Sequence, residues 1–461
     1  MINFIGPSYP LGNKAASERS INLFLSQIES GTGKAPFILK SIPGLSLFAS
    51  LGAEYRGSIV TAGRAFVVAG NTLYELSSAG VATSRGTLLT STSRVSIAAG
   101  VTQVVIVDGP YGYVLTQSSN AFTRITSPNF QGSRFVTFLH GYFCFIRPTT
   151  QQYYISAIDD AATFNALEFA SAESSPDKLQ VLITDHDELK LFGEMTVETA
   201  SDTGGADFPF SRNGGALMEV GCLAPDSAVK LDNSIYWIGQ NDSGGGLVYK
   251  AAGYQPQIIS DDAIGPMLQA STNLAAATAY GYQQGGKTFY CINAPGLSTT
   301  LVYEAKSGKW SERAELDTLT GGYKQHRATG YLYAFNKCLV GSADGRIYVL
   351  DPLVNNNAGD VLLRDRISPH SGTGQFPRFA LDCTVGVAAS GQDPQVMMRY
   401  SNTGTKGLPN ANWQSRSLGK IGEFDQLVVW LRCGFTRPKG SRVWQVRCTD
   451  DVAFDIIGAA A

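Results

Sequence analysis

The sequence is short of charge. Asp, Glu, Lys and Arg supply 16% of its 461 residues, where soluble domains average roughly 25%. A surface so thinly charged is expected to be covered in part by partners. The net charge is only −2, which excludes a polybasic chain that grips nucleic acid through its phosphates. The balance is uneven along the chain. Residues 361–461 hold 12 Lys and Arg against 8 Asp and Glu, or +4, and residues 1–360 hold 24 against 30, or −6. The C-terminal excess reads as an arginine-laced β-surface rather than a phosphate site.

Long apolar runs are missing too. None nears the ~18 residues of a membrane span. The opening Met1-Ile2-Asn3-Phe4 meets Pro7 and Pro10 at once, unlike a secretory leader. Cysteine shows no C-x-x-C spacing, and its seven copies are odd in number. Cys144, Cys222, Cys291, Cys338, Cys383, Cys433 and Cys448 sit mostly in apolar strand contexts. They are expected to be buried free thiols of a protein made in a reducing cytoplasm. Histidine is scarce: His140, His186, His326 and His370 form no H-x-x-H or H-E-x-x-H pair to seat a zinc ion. No G-x-S-x-G nucleophile elbow is present, and no D-x-[DN]-x-[DN]-G loop for calcium in a tunnel. Ser243-Gly244-Gly245-Gly246 joins two strands, so it sets no phosphate on a helix N-terminus.

What is abundant is glycine, with 50 residues, and a hairpin that recurs seven times. The first copy is Ala65-Phe66-Val67-Val68-Ala69, the turn Gly70-Asn71, then Leu73-Tyr74-Glu75-Leu76. Later copies begin near Val104, Tyr142, Leu189, Ile235, Phe289 and Cys338, at spacings of 39, 38, 47, 46, 54 and 49 residues. A strand repeat of roughly 40–50 residues is the mark of β-propeller blades. Several first strands, such as Val104-Val105-Ile106-Val107, are apolar on both faces, as when blades stack. Turn signals follow at Asp108-Gly109-Pro110, Gly244-Gly245-Gly246 and Asp344-Gly345.

The organisation that follows is all-β. Residues 1–50 read as an N-terminal arm, where prolines 7, 10, 36 and 43 and the Gly31-Thr32-Gly33 turn prevent long helices. Ile21-Asn22-Leu23-Phe24-Leu25 and Phe37-Ile38-Leu39 could add to it as edge strands. Residues 51–352 form a β-propeller of six or seven blades. A short helix is expected over Thr272–Ala279. Asp351-Pro352 breaks the pattern, and Asn355-Asn356-Asn357-Ala358-Gly359 reads as a linker. Residues 353–461 form a β-sandwich-like domain. There Leu427, Val429, Leu431 and Cys433 share one strand face, and Trp444, Val446 and Cys448 share another.

No catalytic constellation emerges. Asp185-His186-Asp187-Glu188 is the densest titratable cluster, but neighbours on an extended chain point to opposite sides, so an exposed turn is expected. The pairs Asp159-Asp160, Asp261-Asp262 and Asp450-Asp451 fit turn caps on backbone amides. Sialidase-like propellers carry Asp-boxes and need arginines and carboxylates converging at one tunnel mouth. The nearest Asp-box match, Ser401-Asn402-Thr403-Gly404 with Trp413 beyond it, lacks the aspartate. No residue is assigned a catalytic, cofactor-binding or metal-binding role, and no cofactor is expected.

Several stretches carry a resemblance, in order along the chain. They are Ser17-Glu18-Arg19-Ser20-Ile21-Asn22-Leu23-Phe24, Ile42-Pro43-Gly44-Leu45, Tyr55-Arg56-Gly57, Gly141-Tyr142-Phe143, Phe169-Ala170-Ser171-Ala172-Glu173 and Ala206-Asp207-Phe208-Pro209-Phe210. Gly221-Cys222-Leu223-Ala224-Pro225-Asp226-Ser227, Leu231-Asp232-Asn233-Ser234, Arg399-Tyr400-Ser401, Arg416-Ser417-Leu418-Gly419 and Asp455-Ile456-Ile457-Gly458-Ala459 continue it. Together they resemble the packaged-DNA stabilisation family of short-tailed bacteriophages, also called tail hub or nozzle proteins. Ser20, where the family pattern suggests cysteine, and Thr199-Ala200, where it suggests an aromatic, depart from it. The resemblance implies a structural virion protein of the phage tail, not an enzyme. It implies a ring, a hexamer, on the adaptor protein below the portal. That ring would extend the DNA channel, retain packaged DNA and carry tail spikes or fibres and a needle. Passing double-stranded DNA is not held tightly, and no membrane insertion is implied. The arm and the loops between hairpins are expected to be buried between subunits or against the adaptor. The rival readings are a carbohydrate-active, sialidase-like propeller enzyme and a cellular scaffold propeller.

Overall fold

A computed structural model describes residues 4–10, 16–29, 35–205, 208–437 and 440–461. Met1–Asn3, the Gly31-Thr32-Gly33 turn and the Ala206-Asp207 part of one resemblance stretch lie outside the described residues. Short antiparallel strands dominate. Each recurrent hairpin is the middle of a four-stranded meander. In the first, Tyr55–Thr61, Arg64–Ala69, Thr72–Leu76 and Ala82–Thr87 pair in that order. Five more meanders follow over residues 96–124, 136–171, 179–212, 221–258 and 278–316. Val104, Tyr142, Leu189, Ile235, Phe289 and Cys338 all lie on second strands, buried between neighbouring sheets except where Tyr142 and Cys338 are half-buried. That double burial is why these strands read as apolar on both faces.

The innermost strands lie against one another in chain order, except that the fourth blade meets the fifth through Glu188–Gly193 and Gly221–Cys222, and the last lies against the first. The disc is therefore a closed β-propeller. Many connections between first and second strands are two-residue turns with both residues at positive φ. Ala62-Gly63, His140-Gly141, Asp232-Asn233, Gly285-Gly286 and Phe335-Asn336 all do this. Such turns match the right-handed twist of the strands they join.

Four N-terminal strands complete the architecture: β1 (Arg19–Ile21), β2 (Leu23–Gln27), β3 (Phe37–Ser41) and β4 (Gly44–Ser50). The seventh meander has only three strands of its own, Ala328–Ala334, Lys337–Ser342 and Arg346–Asp351. Its outer strand is β4, with Ser50 opposite Arg346 and Gly44 opposite Asp351. At the seam, Tyr55 of the first blade is clasped by two glycines of the seventh. A Cβ added to Gly330 or Gly341 would lie 2.2 Å from its ring. Asn357, within the stretch read as a linker, pairs in parallel with Leu45 of β4.

The C-terminal strands form a sandwich whose two sheets both take in the N-terminal segment. One sheet runs on from the sixth blade: Lys309–Leu316, β1, Arg364–Ile367, Val443–Cys448, Gln395–Ser401, Gln414–Ser417. The other is β2, β3, Ile456–Ala460, Arg378–Cys383, Val428–Leu431. Leu23, Leu25, Leu39, Phe379, Leu381, Trp430, Trp444 and Val446 fill the space between them, and Phe379 stacks on Trp444 at 4.7 Å. Trp444, Val446 and Cys448 face this core, as their alternation predicts. The Leu427–Cys433 face behaves differently. Val428 and Trp430 point inward, and Leu427, Val429 and Leu431 point out. Arg432 at φ 59° ends the alternation, so Cys433 alone returns to the core.

Asn22 makes the crossing between the two sheets. It sits at φ 55° between β1 and β2. Its side-chain amide donates to Ala314 O and Leu363 O, each at 2.6 Å, and accepts from Ala314 N at 3.0 Å. Leu23 then enters the sandwich core and Phe24 the propeller core, edge-on to Phe289 at 5.2 Å. Each such burial contributes about 1.5–3 kcal/mol. Arg366 ties down the preceding residues, donating to Phe4 O at 2.8 Å, Pro7 O at 3.0 Å and Ser20 Oγ at 2.9 Å. The departure at Ser20 is thus absorbed by a hydrogen bond.

Two expectations are corrected. The described residues of the arm pack into their own chain's core, because their apolar side chains complete a sheet at each step. The helix expected over Thr272–Ala279 is a single 3-10 turn at Leu274–Ala276, followed at once by the strand Thr278–Gln284. Eight residues are too few to hold a helix on propensity. The helix that does form, Ile264–Gln269, begins where Asp261 Oδ1 accepts from the Ala263 and Ile264 amides at 3.0 and 2.9 Å.

Replacing Asn22 by Ala should cost about 3–5 kcal/mol. It strands a buried N–H and two carbonyls and puts a Cβ in the left-handed region without a compensating amide. Asn22→Gly should cost less, because it relieves only the backbone part. Urea unfolding of both variants checks the order; equal midpoints for wild type and Asn22→Ala would refute the role given to this corner.

Candidate functional site

The inner strands begin at one mouth of the tunnel, and charged side chains from several blades gather there. Glu54, Tyr55, Arg56, Arg94, Arg134, Asp226, Asn273 and Thr329 line a cavity of about 470 Å³. This is the convergence that a sialidase-like site requires, and sequence spacing did not reveal it, because the residues belong to, or lead into, six different meanders. Their partners decide what they can do. Arg56 is buried and donates to Ser93 O at 2.6 Å, Gly70 O at 2.8 Å and Thr90 O at 2.9 Å. It fastens the first blade to the second. Arg94 donates to Thr329 O of the seventh blade. Arg134 is paired with Asp226 at 2.6 Å. The Tyr55 hydroxyl lies 2.7 Å from Ser58 Oγ, and burial pushes its phenol pKa up. These groups anchor blades to one another, and they do not present an activated tyrosine–carboxylate pair.

The opposite face carries the Asp185–Glu188 cluster. It is a turn, with His186 at φ 53° and Asp185 opposite Glu188. The four residues do not converge on one point. Asp185 meets His186 Nδ1 and Lys230 Nζ, both at 3.2 Å. Asp187 lies 3.6 Å from His140 Nε2, whose Nδ1 is 2.9 Å from Asp202. The Asp202 hydrogen bond is the main cause that raises the His140 pKa. Glu188 has a structural duty that the sequence concealed. It holds the buried Lys190 ammonium at 2.7 Å and accepts from the Tyr254 hydroxyl at 2.7 Å.

The other flagged residues are dispersed. His370 Nδ1 lies 2.7 Å from Ser441 Oγ in the sandwich. His326 is buried, and its Nδ1 accepts from the Ala328 amide at 3.2 Å. Burial first, and the Arg313 charge second, push its imidazole down to about 3. Among the described residues, no group of three or more His, Cys, Asp and Glu side chains is placed to hold a metal ion. The seven cysteines are free, six buried and Cys338 half-buried. Asp160 and Asp450, like Asp261, accept from backbone amides, at Ala162 and Gln395. Ser401 bonds within its own turn to Thr403, and Asn402 accepts from Arg442. Trp413 lies under the guanidinium groups of Arg399 and Arg447, at 4.3 and 5.0 Å. The degenerate Asp-box is thus a packed turn.

The resemblance stretches coincide with joints. Arg19 makes a bidentate pair with the buried Glu312 across β1 and the sixth blade. Burial alone would raise the Glu312 carboxyl pKa, but the Arg19 charge and hydrogen bond hold it below its ordinary value. Ser227, in the Gly221–Ser227 stretch, accepts from Ile238 N through Oγ and from the Tyr290 hydroxyl through its carbonyl, linking the fifth blade to the sixth. Asp365 gathers Tyr323, Gln445 and Arg447, at 2.7, 2.8 and 2.6 Å.

Comparison with known proteins gives one family. A family model described as bacteriophage P22 Gp10, beta-propeller, matches residues 18–355. No curated protein matches. Among solved structures, the chain is similar to the extracellular domain of the one component system BT4673 from B. thetaiotaomicron. The identity is 8% and the TM-score 0.45, with 78% of this chain and 43% of that chain covered. It is also similar to PorZ of the type-IX secretion system of Porphyromonas gingivalis, with 12% identity, a TM-score of 0.41, and 81% and 46% covered. The computationally designed Ika8 protein gives 13% identity, a TM-score of 0.40, and 75% and 99% covered.

Two outcomes follow from this geometry. Glu188→Ala should destabilise the chain by about 2–4 kcal/mol, because it leaves the Lys190 ammonium buried and unpaired, while His186→Ala stays within about 0.5 kcal/mol. Denaturation midpoints of the two variants check the contrast. His326 has a folded pKa below its unfolded value of about 6.5. Above pH 6.5 neither state binds the proton and nothing is lost. As pH falls from about 6.5 towards about 3, the unfolded chain binds a proton that the folded chain refuses, so stability drops. His326→Asn should therefore show a shallower loss of Tm between pH 7 and pH 4 than wild type. Parallel curves would show that the buried imidazole is not an acid-sensitive element.

Proposed function

The chain belongs to the family described as bacteriophage P22 Gp10, beta-propeller, and from that premise we propose that it is the tail hub of a short-tailed phage. It is a structural phage protein. In this reading copies of the chain close into a ring, a hexamer, on the adaptor below the portal. The ring extends the DNA channel, helps to retain the packaged genome, and carries tail spikes or fibres and a needle. The DNA path is the axis of the ring.

The observation that carries the reading is the family match across most of the chain, from β1 through the seventh blade. Physical features support it. A propeller closed by an N-terminal strand is a rigid disc, suited to bearing load. A net charge of −2 suits a wall that duplex DNA must slide past, because each neutralised phosphate adds salt-dependent affinity. Retention then comes from ring closure and plugging, not from charge. No helix among the described residues is long and apolar enough to cross a membrane. The sialidase-like reading stands second. It has arginines and carboxylates at one mouth, but Arg56, Arg134 and Tyr55 are already committed to partners. We therefore assign no enzymatic step to this chain.

Particles assembled without this chain test the proposal. Adding the purified protein should raise the fraction of particles that keep their DNA, and cryo-electron microscopy should show it as a ring beneath the portal. The purified protein should not retard duplex DNA at 0.15 M salt. A protein that ignores such particles and hydrolyses glycosides would overturn the assignment in favour of the enzyme.

A further inference from the structure

The outward face of the sandwich is not that of a solvated sheet. On the Val428–Leu431 strand, Val428 and Trp430 fill the core, yet the outward Leu427 and Leu431 are 56% and 65% exposed. Register places Val429 opposite Ala380, and Ala380 opposite Ala460. Two leucines thus stand beside a low, small-residue floor. A strand apolar on both faces is a strand to be covered on both. Its rim carries three exposed arginines, Arg378, Arg416 and Arg432, against one half-buried carboxylate, Asp382, on the outward side of the neighbouring strand.

A surface of complementary character lies elsewhere on the same chain. Between the fourth and fifth blades, a cleft of about 590 Å³ is lined by Asp177, Glu194, Glu219 and Asp242, with Met195 and Leu217 among them and no Lys or Arg. Asp177 is occupied, accepting from the Met195 and Thr196 amides at 2.7 and 2.9 Å. Glu219 and Asp242 are exposed, and so is Leu217, by 38%. Among the described residues, no hydrogen bond or ion pair joins this cleft to the sandwich within one chain.

We propose that the two surfaces meet between neighbouring copies, the Leu427–Leu431 face of one chain seated on the blade-four/five cleft of the next. The inference rests on the ring reading and names its contact. Apolar residues sit at the centre of both surfaces, and opposite charges ring them, which steers like chains into one register. Two different patches of one chain meeting head to tail make a heterologous contact, the kind that closes into a ring. That complementarity within one sequence is what commits the face to a second copy rather than to an unlike partner.

The test uses full-length chain and particles lacking it. Leu431→Glu alters an outward side chain only, so its circular dichroism and Tm should match wild type. Its ring occupancy on particles should fall about tenfold or more. Arg378→Glu with Arg432→Glu, and separately Glu219→Lys with Asp242→Lys, should each weaken ring formation by roughly threefold or more. All four changes in one chain should restore it. Native mass spectrometry reads the rings, and sedimentation with particles reads attachment. Folded Leu431→Glu that rings normally, or a four-fold reversal that restores nothing, would overturn the contact and leave the hub reading intact. Leu431→Glu that forms rings but no longer joins particles would assign the face to an unlike partner, and so overturn the second-copy assignment. Wild-type chain that neither rings nor joins particles would sink the ring reading itself, and this contact with it.

Discussion

Residues 19–50 are the constraint on which every other part depends. They supply the outer strand of the last blade, a central strand of one sandwich sheet and two strands of the other. Asn22 makes this possible. One residue in the left-handed region turns the chain from one sheet to the other, and its own amide satisfies the backbone groups that the turn would orphan. Beside it, the Arg19–Glu312 pair is buried on the carboxylate side. Buried ion pairs recover little net stability against their desolvation. What this one supplies is register: β1 must lie parallel to Lys309–Leu316 with Ile21 opposite Glu312, and a slip would strand both charges.

The sequence announced the second and third strands of each blade and little else of them. Those strands are sandwiched between sheets, so Val104–Val107 or Phe143–Ile146 must be apolar on both faces, and such runs stand out. The first strands line the tunnel and alternate with small polar residues such as Ser58 and Thr137. The fourth strands, such as Ala82–Thr87, are largely solvated. Neither has a periodicity that differs from a loop. The arm was misjudged for a related reason. Its prolines and short runs look loose, because β3 and β4 are completed by partners about three hundred residues or more away along the chain. The Leu427–Leu431 alternation was visible, but alternation does not say which face is inward. Trp430, the larger side chain on the other face, decided it. The tunnel-mouth charges are products of packing between blades, and spacing could not show them; Glu188 and Lys190, two apart on one strand, share a face by spacing, but only packing shows that the ammonium is buried.

Part of the little charge the chain carries is also hidden from solvent. Arg56, Arg313, Arg364, Arg366 and Arg442 are among the largest fully buried side chains. Arg56, Arg364 and Arg366 reach backbone carbonyls where the chain leaves a sheet, and Arg442 reaches Cys433 O while lying 4.0 Å from the Tyr400 ring. A planar guanidinium with five donors suits that duty better than an ammonium. Burial pushes Arg366 down to about 10, still protonated at neutral pH. Charge that a chain of this composition might have shown to solvent is thus spent as mortar, and the exposed arginines of the sandwich rim stand out the more.

The seam between β4 and Arg346–Asp351 sets a schedule for biosynthesis. A ribosome emits β4 early and its partner strand about 300 residues later, which at ~5–20 residues per second is a wait of roughly 15–60 s. Throughout that interval the nascent chain carries an unpaired strand edge and a half-built sandwich, and intermediate blades can stack but the circle cannot lock. Contacts of such long sequence separation are slow to form and prone to mispairing. Translation pace and chaperone shielding of the nascent N-terminus therefore bear directly on yield, and a slowly translated stretch ahead of residue 346 would lengthen the exposure of β4.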